Sequence, residues 1–430
     1  MSAFCQDTKS ETAAVKKINA IISKPRRLVA GLLSGTSADA IDCAICSIEG
    51  SGPAKDIKTG ANRVAAKVKL ESFRSHPYDP ALRQKLLHPE KITIRELAEL
   101  HAEVGDAFAE ALHRTLVLSG IPEESIDLAG SHGQTIYHHS GFRDDHGGAA
   151  PKVTLQIGDG DRIAEKTGFI VISDFRARDV AAGGEGAPLT PYADAILFPP
   201  LPPSEGRRVV LNLGGIGNIT ILDADPRKIV AFDTGPANAP LDRLARIITK
   251  GEFHCDFDGR LAAAGEVNEA LLAELLKHPF LQKMPPKSTG TEMFGDSFVK
   301  TLVAAHGAQL DLKAMRDLIA TLTAFAAESV AFSLRELAPR MLSNSDANVA
   351  EVVVAGGGSH NKTLITKLRA ALAPARVVVS DELGVPSAAR EAMAFAILAN
   401  DALLGLPTSL PRVTGSTHPV TLGKLSFPTP

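Results

Sequence analysis

Three acidic residues far apart in the 430-residue chain, Asp39, Asp233 and Glu391, stand beside small-residue turns or a helix start, a setting suited to phosphate chemistry. Phosphoryl transfer asks for positioning, a metal to neutralise polyphosphate, and a base for the acceptor. Asp39 follows Ser34, Gly35, Thr36 and Ser37, whose backbone N–H groups can approach an anion closely and whose hydroxyls can donate to it. Because Mg2+ keeps several waters and takes one or two carboxylates, Asp39 and Glu391 are the candidates for its shell, with Asp42 within reach. Asp233 is the candidate base: it comes after four apolar residues and before a Thr-Gly-Pro turn, and partial burial there would raise its pKa. Asp174 is the rival base, with Arg176 beside it as a natural ion-pair partner, and His132 is placed to donate to a substrate oxygen. Each also has a plainer reading, as a hairpin turn, a helix cap, an Asx-turn or a structural histidine. No lysine follows the first glycine turn, which argues against a Walker-A loop, and no G-x-S-x-G elbow surrounds Ser131-His132, which argues against a hydrolase.

Elements must hold these groups in place. Residues 27–30 read as the end of a strand and residues 41–48 as its return, making a hairpin with a long turn. A Gly/Lys/Ser-rich loop at 50–62 and a strand at 64–73 follow. Thr93 and Glu96 form a capping box for a helix carrying Leu97, Leu100, Val104, Phe108 and Leu112. A short strand at 126–129 is expected to deliver GSHGQT, residues 130–135, to a loop, and the strand at 169–173 to end in a loop at Asp174 to Arg176. Loops past the carboxyl ends of strands are where α/β sheets bind ligands. After the proline-rich break at 199–208 the opening theme restarts, with strands at 209–213, 219–222 and 229–232 around Gly214 and Gly215. A further strand at 351–355 runs into Gly356, Gly357 and Gly358, and Val385-Pro386-Ser387 opens a helix bearing Glu391. Glycine loops in both halves, each beside Asp or Asn, suggest a nucleotide clamped between two domains.

Length supports two domains of about 200 residues each. With 44% hydrophobic and 22% charged residues and a net charge of −3, the chain has no field for gripping nucleic acid or an anionic membrane, so its partners should be small molecules or other proteins. No run reaches the roughly 18 apolar residues of a membrane span. Cys5, Cys43, Cys46 and Cys255 lack metal-ligand spacing and point to a reduced, cytoplasmic protein. Residues 1–27, without an apolar h-region, are expected to be a disordered extension, residues 28–205 the N-terminal domain and residues 206–430 the C-terminal domain.

The blocks GLLSGTSADAID, GSHGQT, LQIGD, DFRARDVAAGGEGAPL, LNLGGIGN, FDTGPAN, PPKSTG and AGGGSHN, in that order over about residues 31–405, resemble the anhydro-N-acetylmuramic acid kinases and their levoglucosan kinase relatives. The resemblance implies an α/β, two-domain fold of the actin, hexokinase and Hsp70 type (ASKHA), with ribonuclease H-like domains and ATP and Mg2+ in a cleft. It implies opening of a 1,6-anhydro sugar by water, with transfer of the γ-phosphate to O6 and Asp233 taking the proton from that water. By the same match Gly35, Thr36, Ser37, Ala38, Asp39, Ala40, Ile41 and Asp42 form an ATP phosphate loop, with Asp39 and Glu391 at the metal. Gly214 and Gly215 and then Gly356, Gly357 and Gly358 border the nucleotide, and His132, Asp174 and Arg176 contact the sugar. A homodimer is also what the family suggests. Ala40 and Ala237 stand where the family has glycine, and positive φ there would strain an alanine by about 1 kcal/mol or more; Thr291 replaces an arginine. Two alternatives follow: a levoglucosan kinase, and a silent nucleotide-binding relative.

Overall fold

The apolar stretch ahead of the first small-residue turn forms β1 (Arg26–Ser34), and β2 (Ala40–Glu49) returns antiparallel to it with Leu33 opposite Asp42. The computed structural model describes residues 13–139, 151–202, 204–305, 311–342 and 348–429. It divides into two units: Met1–Leu197 with Asp225–Arg227 and Glu391–Pro430, and Phe198–Ala224 with Lys228–Arg390.

In the first unit β3 (Lys67–Pro77) pairs antiparallel with β2, and β4 (Leu128–His139) runs parallel to β1 on its other side. β6 (Ile170–Ser173) runs parallel to β4, while β5 (Val153–Ile157) and β12 (Lys424–Ser426) add antiparallel to β4 and β6. The second unit has an antiparallel meander, β7 (Arg207–Leu213), β8 (Ile216–Ile221) and β9 (Val230–Pro236). Parallel to β7 lie β10 (Val349–Ala355) and then β11 (Arg376–Val379). The orders β6-β4-β1-β2-β3 and β11-β10-β7-β8-β9 are one pattern used twice. This is the ribonuclease H-like sheet in duplicate, the actin, hexokinase and Hsp70 type of fold.

Parallel neighbours require crossovers, and helices supply them. Ile94–Ser119 begins at the Thr93/Glu96 capping box and ends at Gly120, in left-handed conformation at φ 65°. It buries Leu100, Val104, Phe108, Leu112 and Leu116 in the same core as Leu32, Ile45 and Ala129 of the sheet. The Arg390–Leu403 helix approaches through Gly31 and Gly130: a Cβ at the first would overlap the Ala392 carbonyl, and one at the second the Phe395 carbonyl. Leu312–Met341 is the one helix among the described residues long and apolar enough to cross a membrane; 83% of its apolar window is buried, and it forms core in the second unit.

Several expectations change. Within the expected disordered residues 1–27, Ala13–Ile22 is helical and β1 already starts at Arg26; residues 1–12 lie outside those described. Residues 391–430, expected in the C-terminal domain, belong to the first unit. GSHGQT is strand rather than loop: Gly130 and Ser131 pair with β1, Gln134 and Thr135 with β5, and Gly133 at φ 73° falls where the β1–β4 register shifts. Asp174 to Arg176 is no loop either: Asp174, at φ 58°, stands at the N-cap position of a helix at Phe175–Ala181, without a side-chain capping bond. Asp233 lies inside β9, paired with Asn218, rather than past a strand end. Cys43, Cys46 and Cys255 are free thiols, and burial pushes Cys43 up to about 12; Cys5 is outside the described residues.

Candidate active site

In the first unit the hairpin turn leaves Gly35, Thr36 and Ser37 exposed, while Ala38 is buried at φ 48° and its N–H donates to the Gly35 carbonyl at 3.0 Å. The turn is tied down on two sides. Ser34 Oγ donates to Gln134 Oε1 at 2.6 Å, and Gln134 Nε2 donates to the Gly35 carbonyl at 3.1 Å. Arg83 Nε donates to the Ala38 carbonyl at 3.1 Å, and its Nη2 meets Asp39 Oδ1 at 2.5 Å. Asp39 is therefore ion-paired and largely exposed. Ala40 and Ile41 begin β2, which carries Asp42 half-buried beside Ser75.

Glu391 sits in the first turn of the Arg390–Leu403 helix. Its charge acts on Asp42 and on Arg176: burial first, then Glu391, push the Asp42 carboxyl up, against a Ser75 hydrogen bond. Hard carboxylate oxygens repelling one another suit a divalent cation, which would relieve that repulsion. No group of three or more His, Cys, Asp or Glu is gathered among the described residues. The sequence singled out Asp39 as partner to Glu391; the side chain whose titration Glu391 influences is Asp42.

His132 and Arg176 come together. Arg176 Nε donates to His132 Nε2 at 2.8 Å, and Arg176 Nη1 to the Gly186 carbonyl at 2.8 Å. His132 is buried, its ring 4.6 Å from that of Phe395, and burial followed by the neighbouring guanidinium keeps it neutral, well below the usual histidine range. Asp174 does not pair with Arg176; it pairs with Lys424 at 2.7 Å. His132 and Asp174 line a cavity of about 210 Å³ beside the first half of β4 and the carboxyl end of β6, together with Ser131, Gln156, Asp159 and Lys424. Ser131 Oγ is buried there without a partner. The cavity thus brings several polar groups together on one wall of the unit.

In the second unit the β7–β8 turn, the start of the Asn238–Ile248 helix and the loop after β10 converge. Ala237 and Asn238 donate their backbone N–H groups to the Gly215 and Gly214 carbonyls at 3.1 and 3.0 Å, and Asn238 Nδ2 donates to the Leu213 carbonyl at 2.9 Å. Gly356, at φ 81°, and Gly358 pack so closely on Leu213 that a Cβ at either would clash, whereas Gly214 and Gly357 have room in front of them. Neither Ala40 nor Ala237 has positive φ; Ala237 is at −132°, so the strain considered for them does not arise.

Asp233 is clasped by a segment more than fifty residues later. Its N–H donates to the Lys287 carbonyl at 3.2 Å, and Thr289 N–H donates to its Oδ2 at 2.8 Å. Burial raises its carboxyl to about 6, against the pull of that hydrogen bond and of the Lys287 ammonium. A carboxylate half-titrated near neutrality is suited to general-base work. Sequence reasoning overlooked Arg83, Lys287 and Thr289. PPKSTG was visible as a block, yet nothing local to it points at Asp233.

The model of the anhydro-N-acetylmuramic acid kinase family matches residues 27–428. A protein named anhydro-N-acetylmuramic acid kinase from Caldanaerobacter subterraneus subsp. tengcongensis is 41% identical over 414 residues, covering 95% of this chain and 98% of that one. One so named from Salinibacter ruber is 38% identical over 416 residues, covering 96% and 99%. A third, from Bacillus cereus, is 36% identical over 407 residues, covering 93% and 99%.

Proposed function

The chain belongs to the anhydro-N-acetylmuramic acid kinase family, and from that premise we propose how its own residues carry the reaction. The protein is a sugar kinase, a transferase of amino sugar metabolism. Its substrates in this reading are 1,6-anhydro-N-acetylmuramic acid, water and ATP. Asp233 takes a proton from the water that adds at the anomeric carbon; the bond from that carbon to O6 breaks, and O6 accepts the γ-phosphoryl group. The products are the 6-phosphate sugar and ADP, and Asp233 returns its proton to solvent.

The observation that carries this reading is Asp233 itself, held by Thr289 N–H and poised at about 6. Residues 35–42 of the first unit, and Gly214, Gly215 and Gly356 to Gly358 of the second, are assigned to ATP phosphates, for which the exposed backbone of Gly35, Thr36, Ser37 and Gly357 is the supporting feature. His132, Asp174 and Arg176 are assigned to the sugar. His132 and Asp174 line the 210 Å³ cavity, and Arg176 fixes the orientation of His132. Asp39 and Glu391, with Asp42 beside the latter, would hold Mg2+, which when bound neutralises charge on the β- and γ-phosphates. Excluding bulk water from the bound substrates keeps ATP from being spent on hydrolysis. A cytoplasmic location and a homodimer complete the proposal.

The test is to incubate the protein with Mg-ATP and the anhydro sugar and weigh the product. Gain of one water together with one phosphoryl group is expected. A product that gains phosphate while keeping its anhydro ring overturns the mechanism, and faster turnover of levoglucosan overturns the choice of sugar.

A further inference from the structure

The geometry points to Lys287 as the positioning residue of Asp233: its buried ammonium pins the 287–289 segment, and that segment's backbone holds the base. This inference rests on Asp233 being the base.

Lys287 is only 5% exposed. Its Nζ donates to the Phe280 and Leu281 carbonyls at 3.1 and 3.2 Å and lies 4.5 Å from the centre of the Phe280 ring. Those carbonyls belong to the short Pro279–Gln282 helix, whose Leu281 is fully buried and packs at Gly235, two residues beyond Asp233 on β9. The lysine therefore joins the segment that clasps Asp233 to the element that supports the same strand. At one end of the clasp the Lys287 carbonyl accepts from Asp233 N–H, and at the other Thr289 N–H reaches the carboxylate. A methionine would fill a similar volume without the desolvation of a cation. What the lysine adds is two hydrogen bonds and a positive charge near the base.

The two effects separate by measurement. Lys287 is the charged group that acts on the Asp233 carboxyl, and it favours the ionised form. On the surrounding elements, Lys283 acts on Lys287 rather than on Asp233, Glu292 lies on the Thr291–Phe294 helix, Glu328 on Leu312–Phe332, and the β8 neighbour Asn218 is uncharged. Removing the Lys287 charge should make Asp233 harder to ionise, so the acid limb of kcat/KM for the sugar should move to higher pH.

The experiment measures kcat/KM against pH, at saturating Mg-ATP, for wild type, Lys287→Met, Lys287→Gln and Lys287→Arg, with thermal melts alongside. Lys287→Met is expected to move the acid limb up by about one pH unit and to lower kcat more than it raises KM. Lys287→Gln, which keeps donors but no charge, should share the shift, and Lys287→Arg should restore the wild-type limb. If Lys287→Met does not fold, Lys287→Gln and Lys287→Arg carry the comparison. A folded Met or Gln variant with the wild-type limb overturns the inference, as does an arginine variant that melts like wild type yet shows the shifted limb. Asp233→Asn is run in parallel. Should that variant keep full activity, the base assignment fails by itself; should it be inactive while Lys287→Met keeps the wild-type profile, the fault lies with Lys287 alone.

Discussion

At the scale of single residues, the protein shows a carboxylate made useful by opposing influences. Burial pushes Asp233 up, and the Thr289 N–H and Lys287 ammonium pull it back, leaving it at about 6. Asp233→Asn removes proton acceptance with almost no change of shape. It is expected to cut turnover by at least about 100-fold while calorimetry finds Mg-ATP binding nearly unchanged. In wild type, kcat/KM should fall as pH drops through about 6, because the protonated carboxyl accepts nothing from water; a profile flat down to pH 5 contradicts the assignment. That burial would raise Asp233 was legible in the sequence, since an apolar run ends in Asp-Thr-Gly-Pro. Its clasp was not: Lys287 and Thr289 come from a distant loop, and no pattern of spacing reports a contact at that separation. Glu391 was legible as a helix-start acid, but its influence on Asp42 joins residues far apart in the chain, which no local spacing reports.

At the scale of elements, the strands of the first unit are shaped by what they omit. Gly31 and Gly130 carry no side chain where the Arg390–Leu403 helix backbone presses on β1 and β4. Gly31→Ala or Gly130→Ala should destabilise the unit by about 1–3 kcal/mol, read as a lower urea midpoint with an unchanged slope. Near the other end of that helix Asp401 is fully buried, accepting from Gly52 N–H at 3.0 Å and Tyr192 OH at 2.8 Å, and burial raises it to about 6. A carboxyl raised in the folded state contributes stability fully below its unfolded value near 4 and loses it as pH rises through 6. Asp401→Asn cannot ionise. The wild type should therefore lose about 2 kcal/mol relative to that variant between pH 4 and pH 7, measured as the change in their urea midpoints. The capping box and apolar spacing of Ile94–Ser119 could be read in advance because helix signals are local. GSHGQT could not, since its glycines and polar residues look like a loop until β5 is seen to pair with it.

At the scale of the whole molecule, the duplicated sheet order was legible because each half opens with strand, small-residue turn and strand. The return of residues 391–430 to the first unit was not, as no break in composition marks the point. That return has a mechanical meaning. Ala392, Met393, Ala394, Phe395, Ala396 and Ile397 are all buried, so the last part of the chain is core rather than tail. A chain ending at Arg390 is expected to lose its cooperative melt and elute as aggregate in size exclusion.

There is also an order of events in synthesis. The second unit, although it comes later in the sequence, is the first whose whole chain has left the ribosome. At typical elongation rates β1 and β4 wait about 13–75 s for the helix that fits over Gly31 and Gly130. During that interval the face at Gly31 and Gly130 lacks the helix that covers it in the folded unit.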